Sequence, residues 1–183
     1  GVAAALYPGE NAWEVPAEAL NDAARGDGGA LLQLSDVYTD REPGGSYGNK
    51  GEAFQAINCL DGPAPTPAEF PELAARVAEA APAFGAATVW LGAPCSVWPV
   101  PPDGAPGQLR AAGAPPIVVI GTSNDPATPF TWAEGLASQL ESARLIVFEG
   151  EGHTAYNRGS DCVDDAVDRY LIDLEPPDDD DRC

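Results

Sequence analysis

Apolar residues recur along this chain in two rhythms, and the change comes near residue 115. The first part is helical. Trp13, Ala17 and Leu20 stand at i, i+4 and i+7, with Pro16 where a first helical turn accepts it. Residues 26–29, GDGG, break this pattern, and Leu31, Leu34 and Tyr38 resume it over 30–38. A loop is expected across 41–51 (REPGGSYGNKG), then a short helix over 52–59 with Phe54 and Ile57. A Pro-rich connection follows over 61–71, then an Ala-rich helix over 71–81. Residues 82–115 are rich in proline, hold Trp90 and Trp98, and are expected to be irregular.

After Pro115 the rhythm becomes that of a buried sheet. Ile117-Val118-Val119-Ile120 is a continuous β-branched run closed by Gly121, as in a strand covered on both faces. A polar loop spans 122–129. A helix over 131–140 repeats Trp132, Leu136 and Leu140 every four residues, with Trp132 expected in the core. A second strand is expected over 144–148, a loop over 149–161, and a helix from Cys162 to about Leu174. That helix carries Val163, Ala166, Val167, Tyr170 and Leu171 on one face. The tail EPPDDDDRC is expected to be loosely held apart from Cys183. Strand, loop, helix, strand, loop, helix is the order of a parallel α/β arrangement. The chain thus divides into a mainly helical and irregular part, 1–114, and an α/β part, 115–183.

Composition narrows the partners. The 29 acidic and 9 basic residues leave a net charge of −20, which argues against a nucleic-acid binder and against docking on anionic membranes. No apolar run approaches the ~20 residues of a spanning helix. The 20 glycines and 19 prolines predict many loops. There is no Met and residue 1 is Gly, as expected of a processed, trimmed or partial chain; eight Arg against one Lys suits a high-GC genome.

The cysteines are Cys59, Cys95, Cys162 and Cys183. Their spacing contains no CxxC, which argues against a zinc knuckle or a thioredoxin-type site. Of the three possible pairings the most local is Cys59–Cys95 with Cys162–Cys183. An even count and an acidic, Lys-poor surface suit a secreted protein whose signal peptide has been removed; the alternative is four reduced thiols in a cytosolic one. The run Asp178–Asp181 lacks the glycine and terminal Glu of a calcium loop. No phosphate-binding loop is present, and no metal or cofactor is expected.

Polar residues just past the carboxyl ends of parallel strands face the usual crevice of an open α/β sheet. Two stand there. Asp125 follows the first strand in GTSNDPATP. His153, the single His, follows the second in EGEGHTAY. One strand–helix–strand crossover separates them, so both loops open on the same sheet edge. A carboxylate there can hold an imidazole in one tautomer while the imidazole takes a proton from a nucleophile. The structural alternatives are an Asx turn before Pro126 and a surface His.

From Pro115 to Cys183 the chain resembles the C-terminal region of tripeptidyl aminopeptidase-like α/β-hydrolases, secreted serine peptidases of high-GC bacteria. The motifs are PPIVVIGTSNDPATPFTWAEGLASQL, ARLIVFEGEGHTAY and CVDDAVDRYL followed by a terminal Cys. ALYPGENAW, ARGDGGALLQLSDVY, AINCLD, APAFGAATVW and PCSVWP resemble the family's cap and its flanking segments. The resemblance implies the last two parallel strands of an α/β-hydrolase fold at 115–183 and a Pro-rich, cap-like segment at 1–114. It implies Asp125 as triad acid, His153 as triad base, a peptide substrate cut from its N-terminus, and an acyl-enzyme on a Ser. Phe130 and Tyr156, near the two loops, are candidates for the substrate pocket.

The nucleophile is the missing piece. Gly44-Gly45-Ser46-Tyr47-Gly48 matches the G-x-S-x-G elbow and stands in the order Ser, Asp, His. Its context argues against it, because SDVYTDREPG is polar and broken by Pro43, and few residues precede it. Ser46 is therefore expected in a loop, and the serine and oxyanion-hole amides in a missing N-terminal part of the hydrolase. Two other readings stay open: an acidic, disulfide-stapled binding module without chemistry, and a small hydrolase that uses Ser46.

Overall fold

The computed structural model describes residues 1–104 and 107–183. Helices α1 (Val2–Ala5), α2 (Glu14–Ala24) and α3 (Gly29–Tyr38) occupy the first 41 residues. Gly26, at φ 96°, makes the expected break before α3. The buried face of α2 is Pro16 and Ala19, whereas Trp13 and Leu20 are largely exposed. The stripe Trp13–Ala17–Leu20 is thus not the packing face. Small side chains allow the closer approach, and the large apolar ones face outward.

The chain divides into two units, one made of Gly1–Arg41 with Gln108–Cys183, the other of Glu42–Gly107. This departs from the expected division at residue 114. The first 41 residues cluster with the sheet, through long-range contacts that no periodicity encodes.

In the second unit, α4 (Lys50–Asp61), α5 (Phe70–Ala80) and α6 (Gly85–Leu91) are followed by a 3₁₀ turn over Ala93–Val97. Phe70 is 2% exposed and stacks on Trp90 with ring centroids 5.4 Å apart. A helix over 85–91 replaces the irregular structure expected there. This aromatic stack across α5 and α6 stabilises a segment whose Thr and Val are weak helix formers. Cys59 of α4 is bonded to Cys95 of the 3₁₀ turn.

In the first unit, β1 (Ile117–Asn124) begins where the β-branched run begins. It leads through α7 (Phe130–Gln139) to β2 (Ala143–Glu151), which pairs with it in parallel from Ile117 opposite Ala143 to Thr122 opposite Phe148. Helix α7 lies on β1 through Phe130 and Ala133: a methyl at Gly121 would fall 2.7 Å from Phe130 Cδ2 and 2.8 Å from Ala133 Cβ. Trp132 lies outside this face and is 63% exposed, against the core role expected of it.

Helix α8 (Asp161–Asp168) is started by Ser160, whose hydroxyl accepts from Val163 N, with Asp161 and Asp164 in the first turn favoured by the helix dipole. Its apolar face, Val163, Ala166 and Val167, packs with Ile146 of β2 and Ala155 as the core of this unit. Ile146 and Val163 are fully buried, each a contribution of about 1.5–3 kcal/mol. The helix ends in a wider π turn over Arg169–Asp173 and a left-handed Leu174.

The end of the tail joins the sheet. Asp181–Arg182 form β3, parallel to β2, with Ile146 opposite Asp181 and Val147 opposite Arg182. Cys183 N donates to Val147 O, and Cys183 is bonded to Cys162. The sheet order is β1-β2-β3. Both disulfides follow the most local pairing. No helix among the described residues is long and apolar enough to cross a membrane.

Candidate active site

Parallel pairing carries β1 and β2 to the same sheet edge, and the two loops there are tied before they diverge. Ser123 Oγ donates to Gly150 O at 3.2 Å and accepts from Gly150 N at 3.0 Å. Asn124 Nδ2 donates to Glu151 Oε1 at 3.0 Å, beside an irregularity in pairing between Thr122 and Asn124. The first residue past β1 is Asp125.

Asp125 sits in an Asx turn that its own carboxylate organises. Oδ1 accepts from Ala127 N at 2.8 Å and Thr128 N at 2.9 Å; Oδ2 accepts from Thr128 Oγ1 at 2.9 Å. Pro126 supplies no N–H of its own, so the turn's donors begin at Ala127. The side chain is only 4% exposed. Burial pushes its pKa up, but the hydrogen bonds from Thr128, Ala127 and His153 outweigh that and bring it down to about 2. The carboxylate is therefore ionised at neutral pH, and the turn reading and the acid reading hold together.

His153 follows β2 after Gly152, which has φ 105°. Its Nδ1 lies 2.9 Å from Asp125 Oδ2 and 3.1 Å from Oδ1. Against an ionised carboxylate Nδ1 carries the proton, which makes Nε2 the basic nitrogen. The ring is 28% exposed. A buried carboxylate behind a partly open imidazole is the arrangement that the acid and base of a nucleophilic triad require.

A third element reaches this site that the sequence did not announce. His153 N donates to Tyr7 O at 2.8 Å, and the Tyr7 ring meets the imidazole edge-to-face, centroids 5.0 Å apart. Tyr7 O can come so close because Gly9 and Gly152 have no side chains: a methyl at Gly152 would fall 2.8 Å from Gly9 N and 2.9 Å from Tyr7 O. The one available signal was the pair of glycines, in YPGEN and GEGH.

The other candidates fare differently. Phe130 packs on the backbone of Gly121. The Tyr156 hydroxyl donates to Asp168 Oδ1 of α8 at 2.7 Å. A cleft of about 110 Å³ beside the His loop is lined by Tyr7, Gly9, Glu10, Phe148, Thr154 and Arg158, among others; neither Phe130 nor Tyr156 lines it. Ser46 belongs to the other unit, in an exposed turn where Glu42 N donates to Ser46 O and Gly45 N to Glu42 O. No strand leads into it and no helix begins at it, so it is not on an elbow. Among the described residues no group of three or more His, Cys, Asp or Glu is placed to hold a metal ion.

The model of the family described as TAP-like protein matches residues 81–183, more than half of the chain and the whole of the Asp125–His153 site. The chain belongs to this family. Its parallel sheet, crossover helix and the loops carrying Asp125 and His153 are consistent with the C-terminal portion of an α/β-hydrolase fold. Relatives of this TAP-like chain match nearly all of it. "Carboxylesterase B" of Mycobacterium tuberculosis is 39% identical over 100% of this chain and 36% of its own length. "Serine protease Hip1" of Mycobacterium bovis is 38% identical over 94% of this chain and 34% of its own length. "Tripeptidyl aminopeptidase" of Streptomyces lividans is 27% identical over 89% of this chain and 31% of its own length. The TAP-like chain thus spans about a third of the length of these curated relatives.

Proposed function

We propose that the chain is the acid–base part of a secreted serine hydrolase, a tripeptidyl- or prolyl-type aminopeptidase whose nucleophile lies in sequence N-terminal to Gly1. The observation that carries this is the 2.9 Å contact between His153 Nδ1 and the buried Asp125 carboxylate. In the reaction, His153 Nε2 takes the hydroxyl proton of the serine as its oxygen attacks the substrate carbonyl. Asp125 stabilises the resulting imidazolium without taking a proton itself. The imidazolium passes its proton to the leaving amine, the acyl-enzyme forms, and a water activated by the same nitrogen releases it.

Two features support a nucleophile from elsewhere in the protein. Ser46 lacks the strand–turn–helix setting of an elbow. The outer edge of β1 has no strand partner among the described residues, and a hydrolase sheet continues from such an edge. On this reading the partners are the N-terminal half of the hydrolase and a peptide substrate. Two disulfides and an acidic surface suit secretion.

The relative named a carboxylesterase favours a second reading, ester substrates for the same acyl-transfer machinery. One experiment separates the outcomes. The protein with its upstream sequence is assayed on a tripeptide p-nitroanilide with a free amino terminus, the same peptide N-acetylated, and a p-nitrophenyl ester. Preference for the free peptide, lost in His153→Ala, supports the aminopeptidase; His153-dependent cleavage of the ester alone supports the esterase. Hydrolysis that persists in both His153→Ala and Asp125→Asn overturns both.

A further inference from the structure

We infer that Tyr7 is a positioning residue for His153, a role that rests on reading Asp125 and His153 as the acid–base pair. A hydrogen bond at Nδ1 alone leaves the imidazole free to swing about that contact. The atom that must be aimed is Nε2, on the other side of the ring, so a second contact has to fix the ring plane. Tyr7 provides it twice. Its carbonyl accepts the His153 N–H at 2.8 Å and sets the backbone from which the ring hangs. Its side chain meets the imidazole with centroids 5.0 Å apart and planes at 70°, the edge-to-face arrangement aromatic pairs prefer.

Tyr7 is itself held. Its ring packs edge-to-face on Tyr38 of α3, centroids 5.7 Å apart, and the two hydroxyls are 3.2 Å apart. The hydrogen bond with Tyr38, burial, and the nearby Tyr38 and Asp125 push the Tyr7 pKa up to about 12. Tyr7 therefore stays neutral and does not compete with His153 for a proton. The side-chain-free contact between Gly9 and Gly152 fixes the segment carrying Tyr7 against the loop carrying His153. Asp125 thus sets the tautomer and Tyr7 the direction of the ring.

His153 is the single His of residues 1–183, and in the protein with its upstream sequence its imidazole ¹H and ¹⁵N signals are assigned by their loss in His153→Gln, without any activity assay. In the disulfide-bonded protein the Nδ1–H tautomer is expected, with an NOE between the imidazole carbon-bound protons and the Tyr7 ring protons. Tyr7→Phe is expected to keep both. Tyr7→Leu keeps bulk without an aromatic ring, and is expected to lose the resolved Nδ1–H resonance. An Nε2–H tautomer in the unmutated protein would sink the acid–base pair itself. An Nδ1–H tautomer without the ring–ring NOE, or with a resonance indifferent to Tyr7→Leu, would overturn the role of Tyr7 and leave the pair standing. The NOE needs no variant, so the test survives even if Tyr7→Leu does not fold.

Discussion

His153 Nδ1 and Asp125 Oδ2 meet at 2.9 Å across 28 residues of sequence. The contact is a consequence of parallel pairing. One crossover through α7 returns the chain to the same sheet edge, and the Ser123–Gly150 bonds hold the two loop bases together. The aspartate is held independently of the histidine, because three donors from Ala127 and Thr128 fix its carboxylate.

Asp125→Asn tests the catalytic use of that contact. An amide at this position presents either its N–H₂ or its oxygen to Nδ1 and no longer stabilises a charged imidazole. In the protein with its nucleophile, kcat is expected to fall by ~10⁴-fold while the fold persists, as loss of the acid does in a serine triad. Steady-state kinetics with a thermal melt as control checks this; kcat within a few-fold of the unmutated enzyme would remove Asp125 from the mechanism.

The same carboxylate predicts a pH dependence of stability. Its folded pKa, about 2, lies below the ordinary 3.8, so between these values the unfolded chain binds the proton more readily. The stabilisation is fully present above about pH 4 and lost as the pH falls through about 2, with a size of about 1–2 kcal/mol after solvent screening. Urea unfolding of the unmutated protein and Asp125→Asn, compared at about pH 5 and about pH 2, isolates this group from the other acids. The difference between the two proteins is expected to shrink at the lower pH.

Removing the Cys162–Cys183 bridge should free the C-terminal strand. The bridge spans 21 residues and ties α8 to the residue that follows β3. For a loop of that size the chain-entropy account gives about 3 kcal/mol. Cys183→Ser with Cys162→Ser is expected to lower stability by that order. It should also speed hydrogen exchange at Cys183 N, which donates to Val147 O, far more than at the amides of β1. Equal protection with and without the bridge would show that the β3 ladder holds by itself.

Much of the fold was legible because it is local. The β-branched residues Ile117–Ile120 announced β1, the Ala-rich run over 71–81 announced α5, and the helical spacing of Val163, Ala166 and Val167 announced the core face of α8. Asp125 and His153 were legible as candidates because Asp125 follows β1 and His153 stands two residues past β2. The misses share another physics. β3 is two charged residues held by backbone hydrogen bonds, so it has no apolar signature. Helical spacing puts Trp13 and Trp132 on apolar stripes, but α2 and α7 pack through smaller or differently phased residues at closer range. Tyr7 reaches His153 across more than half the chain, and no periodicity encodes that.

Ser46 tests the reading that this chain carries no nucleophile of its own. It is exposed in a turn without strand or helix context. Ser46→Ala is therefore expected to leave hydrolysis by the protein with its upstream sequence unchanged. A fluorophosphonate probe followed by peptide mapping should label no peptide containing Ser46. Labelling there, abolished by Ser46→Ala, would restore the small-hydrolase reading.

Gly152→Ala is the sharpest test of the seam between the N-terminal segment and the histidine loop. Two costs meet at this position. At φ 105° a residue with a Cβ is strained, by about 1–2 kcal/mol. The new methyl would also fall 2.8 Å from Gly9 N and 2.9 Å from Tyr7 O, backbone atoms that cannot rotate away. Gly26→Ala is the matched control, because φ is 96° there but nothing lies within 4 Å of the added methyl. Denaturant unfolding is expected to show a loss of about 1 kcal/mol for Gly26→Ala and about 2–4 kcal/mol for Gly152→Ala. Only the second should shift the imidazole signals of His153. Equal losses in the two variants would mean that the seam yields to the methyl, and that the contact of Tyr7 O with His153 N is not what holds the loop.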